Sequence, residues 1–203
     1  MKSLIIVGAG TAGLMAAYEA ASLGIKVTLL EKKRKVGLKL TITGKKRCNV
    51  TNIAPMQDFL AYFGKNGNFL RQALKLYGNQ DVISFFHSHG VETLSERQGR
   101  VFPKSGKATD VVSALEKACL DSGVNLKTSC AVTGVNHQND RIESVVCKEG
   151  VLKADYFLFT VGGATYPGTG SSGDGYLWAK NMGIKTVPLR PVSYTHLTLP
   201  TTD

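Results

Sequence analysis

The stretch Leu4-Ile5-Ile6-Val7-Gly8-Ala9-Gly10-Thr11-Ala12-Gly13 joins an apolar run to a Gly8-x-Gly10-x-x-Gly13 pattern. In this pattern the first glycine allows a tight strand-to-helix turn and the second lets the backbone approach a pyrophosphate. The third lets the helix pack close to the strand. Phosphates placed there meet free backbone N–H groups and the positive end of the helix dipole. The stretch predicts a dinucleotide-binding strand–turn–helix unit.

The residues that follow extend the unit. Ala17 keeps the predicted helix slim, Gly24 ends it, and Val27 and Leu29 alternate as in a buried strand that leads to Glu31. A carboxylate at this place accepts hydrogen bonds from a ribose 2′-hydroxyl and repels a 2′-phosphate, which favours FAD or NAD over NADP. The alternative is a glycine-rich turn of an α/β sheet that binds no ligand.

Length, composition and cysteine spacing limit the classes of protein to which the chain can belong. With 203 residues and 43% hydrophobic content, the chain can form one domain with a real core, or a domain with an appendage. It has no apolar run of membrane-spanning length, and Met1-Lys2-Ser3 leads directly into a predicted core strand. We therefore expect a cytoplasmic protein without a membrane partner. The four cysteines show no CxxC pair and no metal-ligand spacing, so we expect neither a disulfide nor a metal site.

The net charge of +10 is concentrated directly after Glu31. The basic residues there are Lys32, Lys33, Arg34, Lys35, Lys39, Lys45, Lys46 and Arg47. Steering of an anionic dinucleotide explains this cluster, and a solvated loop face explains it equally well. RNA binding is the less favoured interpretation, because aromatic residues are not interleaved with the basic ones.

The last residues do not fit the rest of the chain. Residues 192–203 look like the translation of a transposon-type sequencing adapter, and we exclude them from fold reasoning. The domain prediction is therefore an incomplete cofactor-binding domain at residues 1–191 followed by a non-native tail at 192–203. The natural chain is expected to continue beyond Pro191.

Periodicity between these ends predicts helices and then strands. Helical spacing covers residues 57–64 and 67–77, Asp81 is expected to cap a third helix, and a fourth starts at Thr109 or Asp110 and stops at Gly123. Four short alternating segments predict a β-meander at residues 124–128, 131–138, 141–148 and 151–154. Residues 155–161 are expected to rejoin a parallel sheet and to place Gly162 and Gly163 at its ligand-binding edge.

Four blocks of sequence carry a resemblance to a known family: the N-terminal unit and residues 37–52, 99–108 and 162–176. With them the chain resembles a bacterial flavoprotein family, the BaiN/YhiN-like group of aminoacetone oxidase-like NAD(P)/FAD-dependent oxidoreductases. One departure is the pair Lys45-Lys46, where family members usually have small residues. The resemblance implies an α/β, Rossmann-like FAD-binding domain, with a parallel sheet, helices and a β-meander, that is truncated before the substrate domain.

The same resemblance implies flavin-mediated hydride transfer to or from a small organic substrate, with NAD(P)H or oxygen as the second partner. The reaction would be reduction of an activated carbon–carbon double bond or oxidation of an amine. Two alternatives remain open: a flavin-dependent tRNA-modifying or RNA-binding protein, and an inert fragment that binds the dinucleotide without turnover. The oligomeric state is also open.

Candidate cofactor-binding residues come from the glycine pattern and from the family blocks, whereas no general acid or base is assigned. Arg47 is a candidate for a charge-assisted contact, and Cys48, which lacks a second cysteine nearby, is expected to be a buried small residue. Asp174 is expected either to approach the flavin or to cap a helix at residues 176–182. The candidates are Gly8, Ala9, Gly10, Thr11, Ala12, Gly13, Glu31, Lys32, Lys39, Thr43, Gly44, Arg47, Cys48, Asn49, Val132, Gly162, Gly163 and Asp174.

Overall fold

A computed structural model describes residues 1–61, 63–64, 67–139 and 141–189. The strands are β1 Ser3–Val7, β2 Lys26–Leu30, β3 Thr51–Asn52, β4 Thr93–Ser95, β5 Arg100–Pro103, β6 Asn125–Lys127, β7 Val132–Gln138, β8 Arg141–Cys147, β9 Gly150–Lys153 and β10 Tyr156–Phe159. The helices are α1 Thr11–Ser22, α2 Leu38–Ile42, α3 Met56–Ala61, α4 Gly67–Leu76, α5 Asn79–Ser88, α6 Ala108–Asp121 and α7 Asp174–Asn181. The predicted tail at 192–203 lies outside the described residues.

A four-stranded parallel sheet organises the fold, with the order β10-β1-β2-β6. Leu4 in β1 pairs with Tyr156 in β10 on one side and with Val27 in β2 on the other. The apolar runs predicted from the sequence form these strands because both faces of the sheet are covered. The prediction that residues 155–161 rejoin the parallel sheet is confirmed by β10.

Residues 124–128 were assigned to the meander, and this prediction was wrong. Strand β6 instead pairs in parallel with β2, with Leu126 opposite Leu29. It directly follows α6, which packs on α1, so β2, α6 and β6 form a crossover unit with a long insertion. A short alternating segment fits either sheet, and only the position of the preceding helix decides between them. The meander has three strands, β7-β8-β9.

The insertion between β2 and α6 contains a second small sheet, with the order β3-β5-β4. Its central strand β5 includes Val101 and Phe102, which are buried. Of the four described α-helices in this insertion, α5 contributes buried side chains to the core, where Phe85 meets Tyr18 of α1 edge-on at 5.2 Å between ring centroids. The side chains of α2, α3 and α4 are not buried.

Several helix boundaries differ slightly from the predicted ones. Helix α5 begins after Gly78, and the Asp81 carboxylate at the third helical position accepts a hydrogen bond from the Gly78 N–H at 2.7 Å, which is one of the two bonds of a capping box. Helix α6 begins at Ala108, one residue before the predicted start. Helix α7 begins at Asp174, with Gly173 in the capping position. Among the described helices, none has both the length and the apolarity needed to cross a bilayer.

Two apolar clusters hold the layers together on opposite faces of the sheet. One joins α1, α6 and the sheet through residues such as Leu14, Leu29 and Leu115, each at most 2% exposed. The other joins the meander and α7 to the sheet through Ile5, Val145 and Trp178. Each large side chain buried in this way stabilises the fold by about 1.5–3 kcal/mol. Both clusters fix the strand ends from which the candidate site is built.

Candidate functional site

A cleft of about 370 Å³ lies at the carboxyl ends of β1, β2 and β10, and we call it the sheet-edge cleft. Its floor is the turn from β1 to α1, and its walls come from the segments after β2 and after β10. Open α/β sheets bind ligands at this edge. The cleft is therefore the candidate site.

Two glycines of the turn are required by the fold itself. A Cβ added to Gly8, whose φ is +102°, would lie 2.7 Å from the carbonyl oxygen of Thr160. A Cβ on Gly13 would lie 1.9 Å from the Gly8 carbonyl oxygen. That carbonyl also accepts a hydrogen bond from Thr160 Oγ1 at 2.8 Å, so β1, α1 and the end of β10 meet without space for a side chain.

Gly10 is different. Its φ is −78°, which any residue can adopt, and apart from its two neighbours in the chain no described residue has an atom within 4 Å of an added Cβ. It precedes the first turn of α1, which has no acidic residue and, within the described chain, no side-chain cap. Free N–H groups at this turn are therefore open to an anion, and the space beside Gly10 allows the anion to come close.

Glu31 lies at the end of β2 and is only 9% exposed. Its Oε2 accepts a hydrogen bond from the Ala9 N–H at 2.9 Å, and its Oε1 accepts one from the Lys33 N–H at 2.8 Å. The first bond ties the end of β2 to the glycine turn. A buried carboxylate thus lines the cleft next to the anion-binding turn.

A lysine latch connects the end of β2 to α7. The Lys32 ammonium lies 2.8 Å from Asp174 Oδ2 and donates to Ser172 Oγ at 2.5 Å. The bond from Lys32 lowers the pKa of Asp174 below its ordinary value. Of the two alternatives for Asp174, the side-chain cap does not apply, because Gly173 is the residue that precedes α7 and the carboxylate binds the lysine.

A second lysine makes a parallel connection. Lys39 of α2 donates to Ser171 Oγ at 2.6 Å and to the Thr165 carbonyl at 3.1 Å. Both lysines therefore join the segment after β2 to the loop after β10, and this pair of connections closes one side of the sheet-edge cleft.

The structure brings many of the sequence-predicted site residues together in this cleft. The predicted residues that line it are Gly8, Ala9, Gly10, Thr11, Ala12, Glu31, Lys32, Lys39, Thr43, Val132, Gly162 and Asp174. The predicted residues that do not line it are Gly13, Gly44, Arg47, Cys48, Asn49 and Gly163. Gly13 has its place in helix packing, and most of the others belong to the segment that leads into β3.

Arg47 makes its contacts away from the cleft. Its guanidinium donates to the Glu96 carboxylate at 2.6 Å and lies 4.2 Å from the centroid of the Phe102 ring. The hydrogen bond to Glu96 raises the pKa of Arg47 and lowers that of Glu96. The same ring touches Gly44, where an added Cβ would lie 3.2 Å from it. The side-chain amide of Asn49 lies against the carbonyls of Thr51 and Val101.

Cys48 is a buried small residue, as the sequence analysis expects, and is 1% exposed. Burial raises the pKa of its thiol. The preceding lysines have left-handed backbones, with φ of 57° at Lys45 and 70° at Lys46. This is the conformation that glycine adopts at least cost, because it has no Cβ atom. The departure at these two positions therefore falls on a turn that strains residues with a Cβ.

Several residues of the cleft are not among the predicted cofactor-binding residues. They are Val7, Leu30, Lys35, Leu38, Leu40, Cys130, Thr160, Val161, Thr169, Gly170, Ser171 and Trp178. Thr160 and Val161 could have been predicted to line the cleft from the sequence, because residues directly after a parallel strand lie at this edge of the sheet. Cys130 could not be predicted, since its place depends on the unexpected course of β6.

Solved structures similar to this fold include Thermovibrio ammonificans THI4, with a TM-score of 0.59 at 15% identity over 91% of this chain and 64% of that one. L-proline dehydrogenase from P. horikoshii has a TM-score of 0.54 at 15% identity, over 92% of this chain and 57% of that one. At this identity the likeness concerns the fold alone.

Curated relatives are closer in sequence. The 3-dehydro-bile acid delta(4,6)-reductase of Clostridium scindens is 33% identical over 94% of this chain, and the ribosomal RNA dihydrouridine synthase of Haemophilus influenzae is 31% identical over 92%. In both alignments the chain spans 46% of the relative's own length. The model of the HI0933-like protein Rossmann domain matches residues 2–198. This chain therefore belongs to the HI0933-like Rossmann domain family.

Proposed function

We propose that the sheet-edge cleft binds FAD. The amides of residues 10–12 would hold the pyrophosphate, and the buried Glu31 carboxylate would accept hydrogen bonds from the adenosine ribose. The observation that carries the proposal is the open space beside Gly10 at an uncapped helix terminus. The fold itself does not require glycine at position 10. A ligand that closely approaches the backbone there explains why this residue is glycine.

FAD, when bound, supplies an isoalloxazine that accepts and donates hydride. The chain's own residues orient the dinucleotide, and the Lys32 and Lys39 connections hold one wall of the cleft. In the whole protein we propose reduction of an activated carbon–carbon double bond in a small organic substrate. NAD(P)H is the proposed hydride source, with oxygen as the alternative electron partner. The name of the C. scindens relative, a delta(4,6)-reductase, supports this reaction class.

The test is a calorimetric titration of the purified chain with FAD. Gly10→Val places a side chain where the pyrophosphate is proposed, so we expect at least a tenfold loss of affinity, about 1.4 kcal/mol. Because the space is free without ligand, the variant should keep the circular dichroism spectrum of the wild type. Gly134→Ala is the control, since Gly134 of β7 does not line the cleft and its added Cβ would make ordinary contacts of 3.7 Å with Val146 of β8. Unchanged FAD affinity in Gly10→Val would refute the site.

A second candidate is an RNA substrate for the same reduction. The H. influenzae relative is named a ribosomal RNA dihydrouridine synthase, and this chain carries a net charge of +10. Arg34, Lys35, Lys45 and Lys46 are exposed and form no ion pair with any residue that the structure describes. Lys35 lines the sheet-edge cleft, and Lys45 and Lys46 closely follow the lining residue Thr43 in the chain.

Salt dependence of RNA binding tests this candidate. A uridine-containing RNA hairpin should bind with a log K that falls linearly with log salt concentration. The double variant Lys45→Glu, Lys46→Glu should lower the slope by about two, one for each lost phosphate contact. Lys75→Glu, an exposed lysine on α4, should leave the slope unchanged. Equal slopes in all three proteins would remove the RNA candidate and leave the small-molecule substrate.

A further inference from the structure

Two thiols and a carboxylate meet beside the sheet-edge cleft. The Sγ atoms of Cys130 and Cys147 and a carboxylate oxygen of Glu149 all lie within 4.8 Å of one another. Cys130 is 2% exposed and Cys147 is 4% exposed, whereas Glu149 is exposed. The cluster is therefore buried on its sulfur side and open on its oxygen side.

The backbone fixes this arrangement before the side chains are considered. Cys147 ends β8 and pairs with Gly150 of β9, so Lys148 and Glu149 form a two-residue hairpin turn. Cys130 is held from the other side, because its N–H donates to the Glu31 carbonyl at 2.9 Å. The cluster thus joins the meander to the end of β2.

The distances match those expected between ligands of one tetrahedral ion. Cys130 Sγ lies 3.3 Å from Glu149 Oε2, and the Cys147 Sγ lies within 4.8 Å of both of these atoms. With metal–sulfur bonds of about 2.3 Å and metal–oxygen bonds of about 2.0–2.2 Å, sulfur and oxygen ligands of a tetrahedral ion are about 3.5 Å apart. Only small side-chain shifts would be needed to enclose an ion.

We propose that Cys130, Cys147 and Glu149 bind Zn²⁺, with water in the fourth position. Two sulfur ligands select a thiophilic cation and disfavour Mg²⁺ and Ca²⁺, which prefer oxygen. The exposed Glu149 gives the ion an entry path. The two cysteines are 17 residues apart and follow no CxxC spacing, which is why the sequence predicts no metal site.

The ion would have a structural effect on the sheet-edge cleft. Cys130 lines the cleft, and its backbone is bonded to Glu31. A metal bond to Cys130 would therefore hold the cleft wall against the meander. This effect does not depend on the identity of the dinucleotide.

Metal binding to the purified, reduced and metal-stripped chain tests the proposal. Co²⁺ used as a spectroscopic substitute for Zn²⁺ should give sulfur-to-metal charge-transfer absorption, and Zn²⁺ should displace it. Cys130→Ser and Cys147→Ser should each weaken Co²⁺ binding and reduce this absorption, and the double variant should lose it. Glu149→Gln should weaken Zn²⁺ binding at least about tenfold. Glu149 is exposed, so its variant should fold as the wild type does.

Two controls match these variants. Cys119→Ala removes a buried thiol outside the cluster, and Glu143→Gln changes an exposed glutamate of β8; both should bind Zn²⁺ as the wild type does. The proposal is overturned if Co²⁺ shows no charge-transfer band, or if Glu149→Gln binds Zn²⁺ as tightly as the wild type. A disulfide between Cys130 and Cys147, seen as two missing thiols in the denatured chain before reduction, would also overturn it.

Discussion

The three glycines of the first turn show how neighbours give one residue type different roles. Gly8 and Gly13 are enclosed by backbone, so a larger residue at either position disturbs the meeting of β1, α1 and β10. Gly10 has free space, so a larger residue there affects a ligand and leaves the fold intact. The spacing of the glycines alone predicts this division, because it reflects the local geometry of a strand–turn–helix unit.

For some residues, the contacts in the structure could not be predicted from the sequence, because their partners are distant in the chain. Arg47 was a candidate for the cofactor, but it binds Glu96, which arrives on a different element of the insertion. Ser171 was not among the predicted cofactor-binding residues, yet its hydroxyl accepts a hydrogen bond from the Lys39 ammonium at the wall of the cleft. Local patterns reveal what a residue can bind, whereas the partner that reaches it is decided by tertiary structure.

At the scale of elements, the latch from Lys32 to Asp174 should make the docking of α7 depend on pH. Because the lysine depresses the pKa of Asp174 in the fold, the latch stabilises the protein fully above the unfolded pKa of about 3.9. The stabilisation is lost as the pH falls through the lower folded pKa. Asp174→Asn should therefore lose about 0.2–1 kcal/mol at pH 7, the range for a partly exposed ion pair, and less at pH 3.

Urea unfolding at the two pH values measures this effect. Asp110→Asn is the matched control, since Asp110 also lies in the first turn of its helix but forms no ion pair with a described residue. The difference between the two variants should shrink as the pH is lowered. A loss at pH 3 as large as that at pH 7 would show that the latch does not act through charge.

The elements also show where periodicity is sufficient and where it fails. Strand β1, helix α1 and strand β2 follow directly from their patterns, because each is long enough to bury one face and its connections are short. Strand β6 has three residues, so its pattern cannot tell a parallel from an antiparallel neighbour. The small sheet of the insertion was missed for a similar reason, since β3 has only two residues.

For the whole molecule, the sheet order places the candidate site. The central strands β1 and β2 carry the glycine turn and Glu31, and β10 arrives beside β1 to add Thr160 and Gly162. The sequence predicts the class of the fold and this edge as the binding edge, because both depend on the parallel strands. It does not predict that a long insertion separates β2 from α6, since nothing local marks the crossover.

Ligand binding at the sheet-edge cleft should raise the stability of the whole fold. A ligand that binds only the folded state stabilises it by RT ln(1 + [L]/Kd), about 2.7 kcal/mol at 100 times Kd. ADP-ribose carries the adenosine half that the glycine turn and Glu31 are proposed to hold, so it should raise the melting temperature. 2′-Phospho-ADP-ribose at the same concentration should raise it less, because its phosphate would approach a buried carboxylate. Glu31→Gln removes that charge and should narrow the difference between the two ligands. Thermal unfolding with each ligand measures the two shifts in melting temperature. A larger shift with 2′-phospho-ADP-ribose would mean that attraction by the lysines after β2 exceeds repulsion by Glu31. The predicted preference for FAD or NAD would then be wrong.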